Sequence, residues 1–326
     1  MAQISVVTGP SAPPPSLARV HPPETAPVRI GVVQHAWAAE GLLAWLDAAV
    51  DAAVAHGAQI VFLPEVTLLR YPADVLPDGD ATALAEDLET GPTVAFARAA
   101  ARRTEVPVHT SVFRRAAGPD GLGLNTAIVV TPDGVVAATT DKLHIPVTAG
   151  YYEDRYFRAG PADDPYPVHE IAGLRLGLPT CWDEWFPEVA RAYSLAGAEV
   201  VVYPTAIGSE PDHPDFDTQP LWQQVIVGNG IANGLFMVVP NRTGSETRPD
   251  GTPGNVFYGS SFVSDPYGRI LVQAPRDEPC VLVTDLDLAQ RQDWLDLFPF
   301  LRTRRPDTYG SLTRAVEADR PYGGDR

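Results

Sequence analysis

Short apolar runs alternate with amphipathic stretches along most of the chain. Runs rich in β-branched residues, such as 30–34, predict buried strands, and stretches with helical spacing, such as 42–56, predict helices packed against them. The remaining predicted strands are 59–63, 106–112, 174–178, 199–203, 236–239 and 280–284, and the remaining predicted helices are 82–103, 188–196 and 221–233. This order predicts an α/β protein in which helices cover a sheet.

Two turn sequences interrupt the alternation, Pro-Asp-Gly at 132–134 and Pro-Tyr-Gly at 266–268. Proline and glycine at these positions favour tight turns, so the flanking β-rich runs are predicted hairpins. The paired runs are 125–131 with 135–140 and 260–265 with 269–273. Hairpins among crossover helices predict a mixed sheet or two sheets.

Both ends of the chain depart from this pattern. Residues 1–27 are rich in Pro and Ala and lack apolar periodicity, which predicts a flexible leader before a folded domain at 28–300. The tail at 301–326 is rich in Arg, Asp and Pro, and it is predicted either to fray or to pack across a partner subunit. No repeat marks a further boundary inside 28–300, which favours one domain.

Charge and hydropathy narrow the classes of function. The 326 residues include 41 Asp and Glu against 24 Lys and Arg, a formal net charge of -17. A polyanion such as nucleic acid would be repelled, because the sequence has no basic patch. No apolar run reaches the roughly 18–20 residues of a membrane span, and the N-terminus lacks the pattern of a signal peptide. We therefore predict a soluble cytoplasmic protein without nucleic-acid or membrane partners.

Cysteine and lysine are both rare in this chain. Cys181 and Cys280 are too few for a disulfide framework and lack the spacing of zinc ligands, so no structural metal is predicted. Lys142 is the only lysine among the 24 basic residues. An ammonium group is compact and fits a small desolvated site, whereas a guanidinium is broad and stays charged. Lys142 is therefore a candidate for chemistry, the alternative being a surface lysine that remained by chance.

Three reactive side chains follow predicted strands. Glu65 follows the strand at 59–63, Lys142 ends a hairpin strand, and Cys181 lies at a turn between a strand and a helix. Backbone N–H groups and the positive end of a helix at such a turn lower the pKa of a thiol. Each residue alone has a structural alternative, namely a helix N-terminal Glu for Glu65 and a buried packing residue for Cys181. Cys280 lies inside an apolar strand and fits the packing role.

Together these residues resemble the Glu, Lys, Cys triad of the nitrilase superfamily. The resemblance covers about residues 28–310 and includes Cys-Trp-Asp followed by Trp-Phe-Pro-Glu within 181–188, a motif of the N-carbamoylputrescine amidase branch. Glu153 matches the second glutamate that the family places beside the triad. Further matching motifs lie at 203–210, 240–246, 257–262 and 304–309.

The resemblance implies a four-layer αββα sandwich with mixed sheets, no cofactor, and assembly into a homo-oligomer. It implies a cysteine-dependent amidohydrolase that releases ammonia from a small amide or N-carbamoyl amine. Glu65 would act as general base and Cys181 as nucleophile. Lys142 would stabilise the oxyanion together with the backbone N–H of Trp182, and Glu153 would orient Lys142 or the substrate nitrogen.

Several residues near these motifs are candidates for binding the substrate. Asp183 and Glu184 form an acidic wall that favours a cationic or neutral substrate, although both could instead face solvent or cap the helix near 187. Glu184 stands where the branch usually has Gln, and 228–233 lacks an expected His pattern. The remaining candidates are Tyr71, His144, Trp182, Thr205 and Ala206. A hydrogen-bonded structural role is the alternative for His144 and is the prediction for His35.

Other activities stay open at this point. Within the fold, the alternatives are a β-ureidopropionase or N-carbamoyl amino acid hydrolase, an aliphatic amidase and a nitrilase. A Cys-His-Glu glutaminase or cysteine protease is disfavoured, because no Gly-x-Cys-x-Gly sequence surrounds Cys181 and Lys142 would have no role. A non-catalytic binding protein with the same fold is the alternative from another class, and the intact triad argues against it.

Overall fold

The computed structural model describes residues 4–316, which form fifteen strands and five α-helices. The helices are α1 (Leu42–Ala55), α2 (Pro92–Thr104), α3 (Pro187–Leu195), α4 (Gln219–Asn233) and α5 (Ala289–Leu297). The strands are β1 (Val6–Thr8), β2 (Val28–Gln34), β3 (Val61–Phe62), β4 (Val108–Arg114), β5 (Leu124–Val130), β6 (Val136–Asp141), β7 (Val168–Ile171), β8 (Leu174–Gly177), β9 (Val200–Val202), β10 (Phe236–Val239), β11 (Thr243–Thr247), β12 (Pro253–Tyr258), β13 (Phe262–Ser264), β14 (Ile270–Gln273) and β15 (Cys280–Leu286).

These strands form two large mixed sheets and one hairpin. The first sheet has the order β1-β15-β2-β3-β4-β5-β6, the second has the order β14-β13-β10-β9-β8-β7, and β11 pairs with β12. In the first sheet β2, β3 and β4 are parallel, and β5 and β6 continue antiparallel. In the second, β8, β9 and β10 are parallel. Both predicted hairpins, β5 with β6 and β13 with β14, are present.

The two sheets pack face to face, and the helices cover their outer faces. In β2, Ile30 and Val32 point into the layer between the sheets, where they join Leu176 and Val200 of the second sheet. Val33 points to the opposite face and packs under α1 and α2, because successive side chains of a strand alternate between faces. Helices α3 and α4 cover the second sheet in the same way. The αββα sandwich that the resemblance implied is thus confirmed.

The helix predicted at 82–103 begins only at Pro92. Pro92 occupies the first turn, where a missing N–H is harmless, and Gly91 before it is extended with ψ 149°. The segment before the helix is held at the end of β4 instead, since Glu86 bridges to Arg114, the last residue of that strand. The Glu86 carboxylate also accepts hydrogen bonds from Thr93 N and Oγ1 at 2.8 and 2.6 Å. The apolar residues of 82–91 have helical spacing, but Gly91 and Pro92 set the start of the helix. The helix was therefore predicted to begin too early.

The described part of residues 1–27, which is predicted to be a flexible leader, contacts the folded domain. Strand β1 adds to the edge of the first sheet, parallel to β15. Farther along, Arg19 forms ion pairs with Asp287 and Asp293 at 2.8 and 2.9 Å, and Pro14 O accepts a hydrogen bond from Gln290 Nε2 at 2.8 Å. Strand β1 was not predicted, because a three-residue edge strand has no periodicity that a sequence pattern can detect.

After β15 of the first sheet, the chain continues as helix α5. Its Trp294 donates a hydrogen bond to Ile231 O of α4 at 2.9 Å, and two short 3₁₀ turns follow at Pro306–Thr308 and Gly310–Thr313. Residues 317–326 of the predicted tail lie outside the described residues. No helix in 4–316 is long and apolar enough to cross a membrane.

Two fully buried histidines give the fold a specific dependence on pH. Burial lowers the pKa of His35 and of His109 to about 3, from 6.5 in an unfolded chain. Between these values the unfolded chain binds more protons than the native protein. Stability therefore falls as the pH falls from 6.5 towards 3, by about 1.4 kcal/mol per pH unit for each histidine.

We expect His109→Phe to reduce this dependence on pH. The free energy of unfolding, measured with urea at pH 7 and pH 5, should decrease by about 2 kcal/mol less in the variant than in the wild type. The exposed His213 provides the control, since His213→Gln should leave the difference between the two pH values unchanged. If the free energy of unfolding decreased equally from pH 7 to pH 5 in wild type and His109→Phe, buried His109 would not cause the dependence on pH.

Candidate active site

The predicted triad residues lie beyond the carboxyl ends of three strands. Glu65 follows β3, Lys142 follows β6 and Cys181 lies a few residues after β8. Strand β6 runs in the same direction as β3, because β5 is antiparallel to both β4 and β6. Glu65 and Lys142 therefore share one edge of the first sheet, although 77 residues separate them in sequence.

Lys142 is the centre of a buried ion cluster. Its Nζ donates hydrogen bonds to Glu65 Oε1 at 2.9 Å and to Glu153 Oε2 at 2.6 Å, and the three residues are at most 1% exposed. Tyr71 donates its hydroxyl to Glu153 Oε1 at 2.8 Å, and Asn125 Nδ2 donates to Glu65 Oε1 at 2.7 Å. Four of these five residues were predicted, and Asn125 was not.

Each charged group in this cluster changes the pKa of its neighbours. Burial by itself lowers the pKa of Lys142, but the carboxylates of Glu153 and Glu65 outweigh it and hold the pKa well above its usual value, so the ammonium stays charged. Burial raises the pKa of Glu153, and Lys142 opposes that rise. Glu65 Oε2 has no hydrogen-bond partner among residues 4–316. One carboxylate oxygen is thus available to accept a proton.

Cys181 lies at a strained point of the backbone. Its φ is +43°, in the left-handed region that only glycine adopts readily, and its N–H donates to Pro204 O at 3.1 Å. It begins a 3₁₀ turn at Cys181–Trp185 and is 6% exposed. The expectation of a lowered thiol pKa is wrong, because burial and the charge of Glu65 raise the pKa of Cys181 well above its usual value and Lys142 only opposes them. The thiol needs a base to become a nucleophile.

Comparisons with known proteins agree with this geometry. The carbon-nitrogen hydrolase family model matches residues 28–296. The chain belongs to the carbon-nitrogen hydrolase family. This carbon-nitrogen hydrolase is 33% identical to a citrullinase of Francisella tularensis over 293 residues, which cover 89% of this chain and 99% of the relative. It is 34% identical to the N-carbamoylputrescine amidase of Arabidopsis thaliana over 264 residues, 79% of this chain and 85% of the relative.

A solved structure also resembles the fold of this chain. An amidase of the nitrilase superfamily from Nesterenkonia superposes with a TM-score of 0.69 at 26% identity, covering 87% of this chain and 97% of that structure. In a variant of that amidase, the acetamide moiety of fluoroacetamide is bound covalently to the active site cysteine. The predicted enzyme class, a hydrolase acting on carbon–nitrogen bonds other than peptide bonds, is confirmed for this carbon-nitrogen hydrolase.

Asp183 connects the segment after Lys142 to the Cys181 turn. Its Oδ1 accepts hydrogen bonds from His144 N at 2.9 Å and His144 Nδ1 at 2.7 Å, and its Oδ2 accepts from Thr180 N at 3.0 Å. The His144 ring also stacks on Phe186, with centroids 3.7 Å apart. Both acceptor oxygens are therefore in use by the protein, so the prediction that Asp183 binds substrate is not supported. The structural alternative weighed for His144 agrees with these contacts.

The other predicted binding residues occupy different positions around the carbon-nitrogen hydrolase site. Ala206 packs with Tyr71 in one buried cluster, whereas the Thr205 hydroxyl donates to Pro240 O at 3.1 Å and so serves the backbone. Trp182 is half-buried and lies against Trp185, with ring centroids 6.2 Å apart. Glu184 is fully buried.

Arg242 is a site residue that sequence reasoning used only as part of a family motif. It is fully buried, and its guanidinium donates to the carbonyl oxygens of Glu65, Val66 and Leu69 at 2.6–3.2 Å. An ion pair with Glu246 at 2.7 Å holds it there. Val66 has a φ of +39°, so Arg242 stabilises the strained loop that carries Glu65. No composition or spacing signal distinguishes it from the other arginines.

We expect Lys142→Met to destabilise the protein by about 3–5 kcal/mol in urea unfolding at pH 7, because two buried carboxylates would lose their cation. Arg103→Met is the matched control. Arg103 also lies between two carboxylates, those of Asp47 and Asp51 at 2.7 and 3.0 Å, but at the surface, where the loss should be below about 1 kcal/mol. Similar losses in the two variants would contradict the importance of the buried cluster.

We expect Asp183→Asn to lower the free energy of unfolding by about 1–3 kcal/mol, because an amide N–H₂ would face backbone N–H donors. The rate of ammonia release should fall as well, since the Thr180 and His144 segments would move relative to each other. Glu188→Gln makes the same chemical change at an exposed position and should alter neither quantity. If Asp183→Asn kept the wild-type stability and the wild-type rate of ammonia release, the carboxylate would not hold the two segments together.

Proposed function

We propose that this protein hydrolyses the ureido group of an N-carbamoyl amine and releases ammonia, with Cys181 as nucleophile. The observation that carries the proposal is the buried Glu65–Lys142–Glu153 cluster beside the strained turn at Cys181. The charges of Glu65 and Lys142 both act on the thiol pKa, which supports a base and a cation near the sulfur.

The first half of the reaction follows from these positions. Glu65 removes the thiol proton, which the raised thiol pKa makes necessary. The thiolate attacks the ureido carbon, and negative charge develops on its oxygen. Lys142, which stays charged, stabilises that oxygen together with the backbone N–H of Trp182. The C–NH₂ bond then breaks, the proton held by Glu65 passes to the leaving nitrogen, and ammonia departs from a carbamoyl thioester.

Water completes the reaction. Glu65 accepts a proton from the water as it attacks the thioester carbon, and the thiolate leaves and takes this proton back from Glu65. The released carbamic acid decomposes to an amine and carbon dioxide, so all atoms are accounted for. In both halves Glu153, bonded to Lys142 and to Tyr71, fixes the direction of the ammonium group.

The names of the relatives support a ureido substrate. The Arabidopsis protein is named for N-carbamoylputrescine and the Francisella protein for citrulline, and both compounds carry a terminal ureido group. A citrulline-type ureido amino acid is therefore the second candidate substrate. Homo-oligomeric assembly and a cytoplasmic location stay predictions.

We expect Cys181→Ala to abolish ammonia release from N-carbamoylputrescine and citrulline, whichever the wild type hydrolyses. Cys280→Ala is the matched control, because Cys280 is equally buried but lies within β15. It should retain wild-type activity after its folding has been checked by circular dichroism. The panel should also contain β-ureidopropionate, an aliphatic amide and a nitrile. Activity that survives Cys181→Ala, or a wild type active only on the nitrile, would overturn the proposal.

A further inference from the structure

Glu246 of β11 is a buried carboxylate that contacts two different parts of the site. It is 4% exposed. Its Oε1 accepts a hydrogen bond from Arg242 Nη1 at 2.7 Å, and its Oε2 accepts one from the backbone N–H of Tyr71 at 2.8 Å. Each oxygen therefore has its own partner, and the two partners can move apart only if one of these charge-assisted hydrogen bonds breaks.

Through Arg242, the Glu246 carboxylate is connected to the proposed general base. The same guanidinium donates to the carbonyl oxygens of Glu65 and Val66 at 3.0 and 2.6 Å. Val66 has a φ of +39°, a backbone conformation that persists only where surrounding contacts support it. A shift of Arg242 would therefore move the backbone that carries the Glu65 carboxylate.

Through Tyr71, the Glu246 carboxylate is connected to the opposite side of the ion cluster. The Tyr71 hydroxyl donates to Glu153 Oε1 at 2.8 Å, and Glu153 Oε2 accepts a hydrogen bond from Lys142 Nζ at 2.6 Å. The Tyr71 ring also packs edge-on against Phe257 of β12, with centroids 5.8 Å apart. The position of the Tyr71 backbone thus determines where its hydroxyl meets Glu153.

The hairpin that carries Glu246 belongs to neither large sheet. A two-stranded hairpin is at best marginally stable by itself, so this one depends on its contacts with the loops around the site. Three backbone or amide contacts of this kind are Arg70 Nε to Thr247 O at 2.6 Å, Asn255 Nδ2 to Gly150 O at 2.8 Å and Ser209 N to Val256 O at 2.9 Å. The hairpin and these loops therefore hold one another in place.

We propose that Glu246 is a positioning residue for the reaction. It fixes Glu65 relative to the side of the cluster that orients Lys142, and it does so without contacting the substrate. This inference rests on the proposed roles of Glu65 and Cys181 in the reaction, but it does not depend on which compound is hydrolysed.

A purely structural role for Glu246 makes a different demand on the side chain. A structural ion pair needs only a negative charge opposite Arg242. Positioning also needs a second oxygen that accepts the Tyr71 N–H at the observed separation. The two roles can be distinguished by kinetics, because a misplacement of reacting groups by about 1 Å can slow a reaction about 100-fold.

The test measures the reactivity of the Cys181 thiol. Iodoacetamide forms an S–C bond with the thiolate and releases iodide, and Glu65 takes the thiol proton as in the proposed reaction. The chain has two cysteines, so Cys181 is the only one left in a Cys280→Ala background, and mass spectrometry gives its alkylation rate. We expect Glu246→Gln to slow this alkylation by about 10- to 100-fold, because the single amide oxygen can serve only one of the two partners.

Asp265→Asn is the matched control. Asp265 is also buried, forms an ion pair with Arg269 at 2.6 Å, and accepts a hydrogen bond from the backbone N–H of Tyr267 at 3.0 Å. It follows β13, which is antiparallel to β10, and so lies at the opposite end of the second sheet from Cys181. We expect Asp265→Asn to lower the temperature of unfolding but to change the alkylation rate by less than about twofold.

A double-mutant cycle tests whether Glu246 acts through Glu65. In a Glu65→Gln background the base is already missing, so Glu246→Gln should slow alkylation by less than about threefold. For whichever ureido compound the wild type hydrolyses, kcat should fall with the alkylation rate, while KM should stay within about threefold of the wild-type value. If Glu246→Gln does not fold, Glu246→Asp replaces it. This variant keeps the charge opposite Arg242 but is too short to reach both partners, and it should slow alkylation at least several-fold.

The outcomes separate this inference from the proposed function. Alkylation of Cys181 that does not depend on Glu65 would overturn the role of Glu65 as base, and the positioning role with it. Alkylation that depends on Glu65 but is unchanged by the substitution at Glu246 would overturn the inference alone. Equal slowing by Asp265→Asn, or equal effects of the Glu246 substitution with and without Glu65, would assign Glu246 a structural role.

Discussion

One ammonium group between two buried carboxylates is the interaction on which the site depends. Lys142 contacts Glu65 and Glu153, and all three are excluded from water. Removing such charges from solvent is unfavourable unless each has an opposite charge and hydrogen bonds. Asn125 and Tyr71 supply those additional hydrogen bonds. The geometry is consequently fixed before any substrate arrives, which is the condition for electrostatic stabilisation of a transition state.

Backbone contacts from both halves of the sandwich maintain this geometry. Arg242, which lies between β10 and β11 of the second half, binds the carbonyl oxygens of the loop that carries Glu65. Asp183, in the turn after β8, holds the N–H of His144 two residues beyond Lys142. The site therefore lies where the two sheets meet, and neither sheet could form it alone. The strained φ of Cys181 and Val66 is maintained by these contacts.

Acidic groups outnumber basic ones around the thiol. Lys142 contacts Glu65 and Glu153, and the buried carboxyl groups of Asp183 and Glu184 lie in the turn that begins at Cys181. Burial, with the charge of Glu65, raises the pKa of Cys181 and keeps the thiol protonated until a base acts. In such surroundings a positively charged substrate compensates the excess, whereas an anionic one increases it.

Sequence patterns were reliable wherever local physics determines structure. Buried runs predicted β2 and β10 with ends correct to within two residues, and the Pro-Asp-Gly and Pro-Tyr-Gly turns predicted both hairpins. Sequence patterns failed where a distant partner decides the structure. Strand β1 pairs with β15 at the edge of the first sheet, and Glu86, before Pro92, bridges to the last residue of β4.

The same division applies to the site. The sequence by itself determined the reactive residue types, since a sole lysine and a cysteine at a turn between a strand and a helix can be recognised without coordinates. It could not distinguish the adjacent acids Asp183 and Glu184. Only the tertiary structure decided that backbone N–H groups bond to the first, that the carboxyl oxygens of the second make no hydrogen bond within residues 4–316, and that the thiol pKa rises. Hydrogen-bond partners, burial and neighbouring charges come from segments far apart in sequence, and the packing of the two sheets brings them together.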